Sequence, residues 1–572
     1  MKPVSSVQWR PRADLPAAAE ISQLVAQLGV HPLTARTLML RGYAGVDLGH
    51  EFLTANLSAL PDPDLLPGMT AACARLEQAL HQGQKIAVHG DYDVDGITGC
   101  ALLVETLRQF GAEVEYHIPL RLEDGYGLSG QALRRAGENG CALVLSVDCG
   151  VTAVAEAELA QQLALDLIIT DHHQPPPELP VCRALINPHL ADNRFPWQEL
   201  SGVGVAFFLL VGLRRQLREQ GYFSTRPEPD LRTGLDLVAL GTIADMVPLG
   251  GVNRILVKAG LPLIDAAQRP GLAALKRVAA VTRVTSGTVG YHLAPRLNAA
   301  GRLEDAALGV ELLLGTDKQE LEPLAGLLDG FNRERREIEQ KTLAAAIAEI
   351  ESAWSDDCYS LVLAGEGWHP GVIGIVASRL IERYHRPTVL IAFDGEQGKG
   401  SARSISSFHL YQALAACAAH LQGFGGHAMA AGISLQRKQL EDFRAAFEQV
   451  ARQRLAPEEL LPTRLHDGEL SLADLDLALL RELDCLAPCG IGNPQPVFIS
   501  RNCTAHAPQV LANKHLKFWV EQNGCRTAGI AFGQADRLAE LNAPVDLLYR
   551  PEINQWRGQE SVQLVISDFR PA

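Results

Sequence analysis

Asp171, His172 and His173 stand together after the apolar run Leu165-Asp166-Leu167-Ile168-Ile169. That run reads as a buried parallel strand. Three metal-capable side chains therefore sit at a strand's C-terminal end, the edge where open α/β sheets place their ligands. Three other segments finish in carboxylates: His89-Gly90-Asp91-Tyr92-Asp93-Val94-Asp95-Gly96, Ser146-Val147-Asp148-Cys149-Gly150 and Gly241-Thr242-Ile243-Ala244-Asp245. Mixed carboxylate and imidazole donors suit Mn²⁺ or Mg²⁺, and the lack of Cys partners argues against structural zinc. Two ions about 3.5–4 Å apart need a bridging ligand, which a carboxylate can be. Asp148 is the candidate, because its strand is expected near the centre of the sheet.

Each element also has a plainer explanation. Asp93 and Asp95 could form a turn or cap the helix that starts near Ile97. Asp148-Cys149-Gly150 could be a strand-end turn, His172 a solvated loop residue and Asp245 a helix-terminal acid. Taken singly, the plainer explanation is favoured for all but the Asp93/Asp95 pair. Taken jointly, four acid-bearing strand ends in one sheet are hard to attribute to chance.

The elements that must position these groups follow from the hydrophobic pattern. Residues 1–80 read as helical, with Pro-marked loops. From Lys85 strands and helices alternate, giving a doubly wound parallel sheet over 81–319. Leu235 to Gly241 is read as continuing the apolar strand pattern before Asp245. Residues 320–355 read as a long polar connector helix, and 356–456 as a second, smaller α/β domain. Residues 463–572 carry short strands with polar turns and read as a small β-barrel.

Composition narrows the function classes. The chain has 572 residues, a formal net charge of −15 and eleven scattered Cys with no C-x-x-C pair. That balance argues against DNA binding through a broad basic surface, though not against a narrow groove or local metal charge. The cysteines read as reduced cytosolic thiols. No signal peptide or membrane span is read from the sequence.

With those residues in view, the chain resembles the DHH phosphoesterase superfamily through Asp91 to Gly96, Asp148, Asp171-His172-His173 and Asp245. Gly400-Ser401-Ala402-Arg403-Ser404 and Gly425-Gly426-His427-Ala428-Met429-Ala430-Ala431-Gly432 resemble its DHH-associated domain. Ala294-Pro295-Arg296-Leu297-Asn298-Ala299-Ala300-Gly301-Arg302-Leu303 narrows the resemblance to the RecJ family of bacterial single-strand-specific 5′ to 3′ DNA exonucleases.

The resemblance implies that Asp93, Asp95, Asp148, His172 and Asp245 hold two divalent ions, Mn²⁺ or Mg²⁺. His89 matches a ligand position in some relatives, and Asp91 is expected behind the ligands. His173 would face the scissile phosphate or complete a ligand shell. The reaction implied is phosphodiester hydrolysis to mononucleotides, in DNA repair and recombination. Gly400, Ser401 and Arg403 suit a 5′-terminal phosphate; the alternative is a flexible Gly-rich turn. Arg296 and Arg302 are further phosphate candidates that could instead pair with Glu304 or Asp305. Arg121 would contact the nucleic acid backbone, Tyr126 could stack on a base, and His427 could order substrate or its own loop.

The barrel resembles an OB-fold, with Lys514, His515, Lys517, Phe518, Trp519 and Trp556 as single-strand-binding candidates. Because side chains alternate along a strand, one of Phe518 and Trp519 must face the core. The resemblance further implies a cytoplasmic monomer working with single-strand-binding protein and a RecQ-type helicase. Two other functions stay open. One is a small-substrate phosphoesterase acting on nano-RNA, phosphoadenosine-phosphate or pyrophosphate. The other is a catalytically inactive single-strand-binding scaffold.

Overall fold

The computed structural model describes residues 7–121, 125, 127–355 and 357–572. The chain divides into two compact units, Met1–Arg10 with Gly330–Arg464 and Pro11–Asp329 with Leu465–Ala572. A short strand β1 (Gln8–Pro11) precedes the helices of the N-terminal region.

The larger unit holds the sheet that positions the chemistry. Its strands are β2 (Lys85–Gly90), β3 (Val114–His117), β4 (Cys141–Val147), β5 (Asp166–Thr170) and β6 (Ala184–Ile186). They lie in the order β3-β2-β4-β5-β6, and every pairing is parallel. The chain leaves β2 to one side for β3 and then to the other for β4. The strand order therefore reverses between β2 and β4, the switch point where such sheets bind ligands.

Helices cover both faces. Leu133, Ala136, Ala157 and Ala160 pack with Ala87, Val144 and Leu167 on one side. On the other, Gly99 of the helix Val94–Gln109 lies so close to the sheet that an added Cβ would fall 2.5 Å from a Val147 methyl. Buried on both faces, β4 has few polar positions, which is why its apolar run is legible. It is also the middle strand, as expected for the strand that carries Asp148.

One element departs from the expected pattern. Leu235–Ala244 is a helix, not a strand, and Leu235 to Ile243 are all buried. A short run that is buried on every side carries no period, so strand and buried helix look alike in sequence. Asp245 therefore reaches the site from a helix C-terminus.

In the smaller unit, β7 (Leu361–Glu366), β8 (Thr388–Asp394), β9 (Gln397–Arg403), β10 (Gly423–Gly426) and β11 (Ala430–Gln436) form a sheet in the order β10-β11-β9-β8-β7. The Gly398 to Arg403 segment is a strand here, not a flexible turn. Its glycines make room for neighbours: a Cβ at Gly400 would fall 2.5 Å from Ile433, and one at Gly398 would fall 2.8 Å from Phe393. Glycine inside a strand marks close approach as readily as a turn. The connector helix runs from Lys318 to Ala353, and the division between the units falls within it.

After β12 (Thr463–His466) come the strands β13 (Phe498–Leu511), β14 (His515–Gln522), β15 (Cys525–Ala531), β16 (Val545–Trp556) and β17 (Gln559–Pro571). They close into a barrel in the order β13-β14-β15-β17-β16, the Greek-key order of an OB-fold. The barrel shares one core with the N-terminal helices, because Leu33, Leu38 and Phe52 pack among Phe498, Phe518, Leu547 and Phe569. Arg254 pins this arrangement. It is buried, donates to the carbonyls of Phe52 (2.8 Å), Leu486 (2.9 Å) and Cys485 (3.0 Å), and stacks on the Phe52 ring.

Candidate metal centre and substrate contacts

The site grows from four chain segments that share one edge of the β2–β6 sheet. Asp93 caps the helix Val94–Gln109, accepting from the amides of Asp95 (2.9 Å) and Gly96 (3.3 Å). Asp93 is thus the helix cap of the plainer explanation. Asp95, in the first helical turn, is wholly buried and accepts from the Gly202 (2.5 Å) and Val203 (2.9 Å) amides. Those amides open the helix Gly202–Glu219, whose N-terminal dipole favours negative charge.

Asp148 follows β4 with φ at +64°, a conformation that Asp tolerates better than most residues. His172 Nε2 lies 3.0 Å from Asp148 Oδ1, 3.6 Å from Asp245 Oδ2 and 3.8 Å from Asp95 Oδ2. Asp171 does not point into this group. It accepts from the backbone amides of Val151 (2.8 Å), His172 (2.7 Å) and His173 (3.0 Å), and from His173 Nδ1 at 2.8 Å. It is the residue that sets the two histidines.

Among the described residues three sets of potential ligand atoms result: Asp148, His172 and His173; Asp95, His172 and Asp245; Asp91, Asp93 and Asp148. Asp148 and His172 each belong to two of them. Asp91, expected behind the ligands, has an oxygen among them. His89 joins no set among the described residues; its Nε2 meets the Gly127 carbonyl at 3.1 Å.

The donor chemistry fits a divalent cation. His172 Nε2, Asp245 Oδ2 and Asp91 Oδ1 are buried and make no hydrogen bond among the described residues. His172 is held neutral, its pKa lowered to about 3 by burial and by the neighbouring His173. Burial and then the neighbouring Asp93 raise Asp91 to about 8 and Asp245 to about 7. Asp95 and Asp148 are pushed well above the usual range by burial and by the other carboxylates. Lone pairs converging on one another in a buried space are the signature of a missing positive charge. His173 behaves oppositely. Burial would lower its pKa, but the hydrogen bond and charge of Asp171 outweigh that and raise it to about 9.

Basic residues rim the same edge. The Arg121 guanidinium sits over the Tyr92 ring at 4.8 Å, and Tyr92 is also within the field of Arg302. The helix Ala294–Leu303 locks the loop beneath: Asn298 accepts from the Val94 amide at 3.2 Å, and a Cβ at Gly301 would fall 2.5 Å from the Tyr92 carbonyl. Arg296 pairs with Asp329 at 3.0 Å. Tyr126 lies outside the described residues.

In the smaller unit, Ser401 and Arg403 lie against Gly374, where a Cβ would come within 2.8 Å of the Ser401 hydroxyl and 3.0 Å of the Arg403 guanidinium. Gly374 belongs to the helix Pro370–Tyr384, whose N-cap is His369. A hydroxyl, a guanidinium and a helix N-terminal turn are thus gathered together, a set suited to an anion. His427 is exposed in the turn between β10 and β11, its amide donating to the Ala430 carbonyl at 2.8 Å. Arg403 pairs in register with Ala430, which brings this turn to the same end of β9.

On the barrel, Phe518 is buried and Trp519 is 47% exposed, so the alternation resolves in favour of Trp519 as the outward ring. Arg526 stacks over Trp519 at 5.1 Å, and Arg557 sits beside the exposed Trp556 at the β16–β17 turn. Strands two and three and the four–five loop are the faces by which OB-folds hold single strands.

Sequence reasoning missed Gly202 and Val203 as site-building residues, and it read Asp171 as a metal-capable side chain rather than as the group that sets the two histidines. Ser201 before an apolar run was a readable helix start. Nothing local shows that this start abuts Asp95, more than a hundred residues earlier.

The sheet and its buried carboxylate–histidine edge define a DHH-type phosphoesterase. The family model described as "DHH family, N-terminal domain" matches residues 85–242, the "DHHA1 domain" model 357–453 and the "RecJ OB domain" model 466–568. A single-stranded-DNA-specific exonuclease RecJ of Dickeya dadantii is 39% identical over 100% of both chains. That of Escherichia coli is 39% identical, over 94% of this chain and 97% of its own. The RecJ structure from Thermus thermophilus in complex with Mn²⁺ superposes with a TM-score of 0.85 at 33% identity, covering 99% of this chain and 80% of that one. The chain belongs to the RecJ family. No helix among the described residues is long and apolar enough to cross a membrane.

Proposed function

We propose that this enzyme, a metal-dependent single-stranded-DNA-specific exonuclease, releases mononucleotides one at a time from the 5′ end, using two ions. The observation that carries the reading is the adjacency of two sets of ligand atoms, Asp95, His172 and Asp245 beside Asp91, Asp93 and Asp148, with His172 Nε2 only 3.0 Å from Asp148 Oδ1, which provides for two neighbouring ions. Mn²⁺ or Mg²⁺ bound there supplies an activated water and offsets charge on the phosphate.

The protein's own groups do the rest. Asp171 holds His173 protonated near neutral pH, so its imidazolium is suited to donate to a phosphate oxygen or the leaving group. Arg121 and Arg302 supply positive charge at the rim, and Ser401 with Arg403 suits a terminal phosphate. Trp519 and Trp556 are placed as stacking surfaces for bases further along the strand. By the same family resemblance the enzyme acts as a cytoplasmic monomer beside a single-strand-binding protein and a RecQ-type helicase, in repair and recombination.

A substrate panel tests this reading against a small-substrate phosphoesterase. Long 5′-phosphorylated single-stranded DNA should be consumed with Mn²⁺, while blunt duplex, dinucleotides and pyrophosphate are poor substrates. Turnover of dinucleotides or pyrophosphate alone would replace the reading with the second one.

A further inference from the structure

Residues 199–203 back the metal centre with their main chain. The Leu200 carbonyl accepts a hydrogen bond from the His172 ring. His172 Nε2 faces the carboxylates, so that bond falls to the other ring nitrogen and aims the Nε2 lone pair inward. The Gly202 and Val203 amides hold Asp95, and Gly202 lies against Asp148. One stretch of backbone thus carries the positions of His172, Asp95 and Asp148. Asp245 arrives separately, from the end of the helix Leu235–Ala244, and needs its own link to that stretch.

Two buried side chains make the link, one on each side of Asp245. Before it, the Thr242 and Ser201 hydroxyls share a hydrogen bond of 2.8 Å. After it, Asn253 Nδ2 donates to the carbonyls of both Glu199 (2.5 Å) and Pro248 (3.1 Å). Asn253 is wholly buried in the first turn of the helix Gly251–Ala266. Only the amide nitrogen can serve two carbonyls, so the side chain has one way to face. Its Oδ1 is left buried without a partner among the described residues. An arrangement that gives up a buried acceptor to hold two carbonyls is one that stability alone does not explain. The same two stretches meet again where the Trp197 ring packs on Gly251, at which a Cβ would fall 2.4 Å from the ring.

We propose that Asn253 is a positioning residue of the metal centre, which joins the Glu199 and Pro248 carbonyls and so sets the distance between Asp245 and the ligands resting on residues 200–203. Asp245 stands in one ligand set with Asp95 and His172, so slack between the two stretches is felt at the ion. The inference rests on the two-ion reading above.

The test uses the full chain and Mn²⁺, with titration calorimetry run well below the Tm of every variant. Asn253→Asp keeps the side chain's shape and turns its donor into an acceptor facing two carbonyls. It should lower Mn²⁺ affinity by about 10–100-fold, as loss of a group that orients ligands does. Asn253→Ser keeps a single donor and should lose less. At saturating Mn²⁺, kcat should fall while KM for single-stranded DNA holds. Tyr549→Phe is the control: it removes a buried hydrogen bond to Ser500 (2.9 Å) inside the barrel, and it should bind Mn²⁺ as the parent does. Parent-like Mn²⁺ affinity in both Asn253 variants, with only Tm lowered, would make Asn253 a plain core residue and overturn the proposal. A loss in Tyr549→Phe as large as in Asn253→Asp would overturn it too, because affinity would then merely follow stability. If Asn253→Asp does not fold, Asn253→Ser decides alone by the same readouts. A parent that takes up one ion per chain would sink the two-ion reading, and the Asn253 comparison at that ion would still decide the positioning role.

Discussion

Gly202 and Asp148 are in such close approach that a Cβ at position 202 would lie 2.6 Å from the Asp148 Cβ and 2.8 Å from its Oδ1. The Gly202 amide meanwhile donates to Asp95. One glycine therefore sets the spacing of two carboxylates that arrive from different strands. Gly202→Ala should push Asp148 off its place while the sheet stays folded. Disturbing a group that orients ligands costs about 10–100-fold in metal affinity or rate. Titration calorimetry with Mn²⁺, alongside kcat, checks this; unchanged affinity would show that the contact is slack.

Asp148→Ala should abolish turnover, because its carboxylate joins Asp91 and Asp93 in one ligand set and lies 3.0 Å from His172 of the neighbouring one. Metal analysis of the purified variant should show that bound Mn²⁺ falls along with the rate. A variant with near-normal rate and metal content would refute the bridging role.

The carboxylates also set how metal binding depends on pH. Asp91 and Asp245 have pKa values raised to about 8 and about 7 by burial and by the neighbouring Asp93. An acid whose pKa rises on folding destabilises the metal-free fold as pH climbs above its unfolded value, and the effect is complete once pH passes the folded value. A cation removes that penalty and displaces the protons. The gain in Tm on adding Mn²⁺ should therefore grow between about pH 6 and pH 8. Thermal denaturation at fixed ionic strength reads it, and a flat gain would contradict the assignment.

His173 titrates in the other direction. With its pKa raised to about 9 through Asp171, it is charged at neutral pH and loses its proton as pH rises through 9. If the charged form donates to the phosphate, activity falls along the same limb. Asp171→Asn should move that limb toward the ordinary histidine range and lower kcat, by up to about 10²–10⁴-fold for a full loss of general-acid help. A pH–rate profile whose alkaline limb stays in place would remove His173 from that role.

Much of this was legible in the sequence, and the reason differs by residue. Asp93, Asp95, Asp148 and His172 follow strands whose apolar runs are unbroken, so each could be placed at a strand end without coordinates. Asp245 could not, because Leu235 to Ile243 is buried on every side, Asp236 included, and so shows no helical period. The Gly398 to Arg403 strand was obscured by its glycines, which are there for Ile433 and Phe393 rather than for a turn. The common core of the N-terminal helices and the barrel is a contact between the chain's two ends, and no local pattern records it.

That shared core changes how the barrel must be tested. Deleting residues from 463 onward would uncover Leu33, Leu38 and Phe52, so the truncated chain should lose stability as well as DNA binding. Trp519→Ala with Trp556→Ala removes only exposed rings. This pair should leave Tm within a degree or two and weaken binding of long strands by about 10-fold or more, since each stacked base is worth about 1–3 kcal/mol. Fluorescence anisotropy with a labelled long strand decides it; unchanged affinity would exclude the barrel from the nucleic-acid path.

The most direct test of the whole account follows a label at the 5′-phosphate of single-stranded DNA during Mn²⁺-dependent digestion. The account predicts that labelled mononucleotide is the earliest product, that a blocked 5′ end stops the reaction, and that removing the metal abolishes it. Label retained on a strand that shortens from its other end, or equal digestion from a blocked 5′ end, would contradict it.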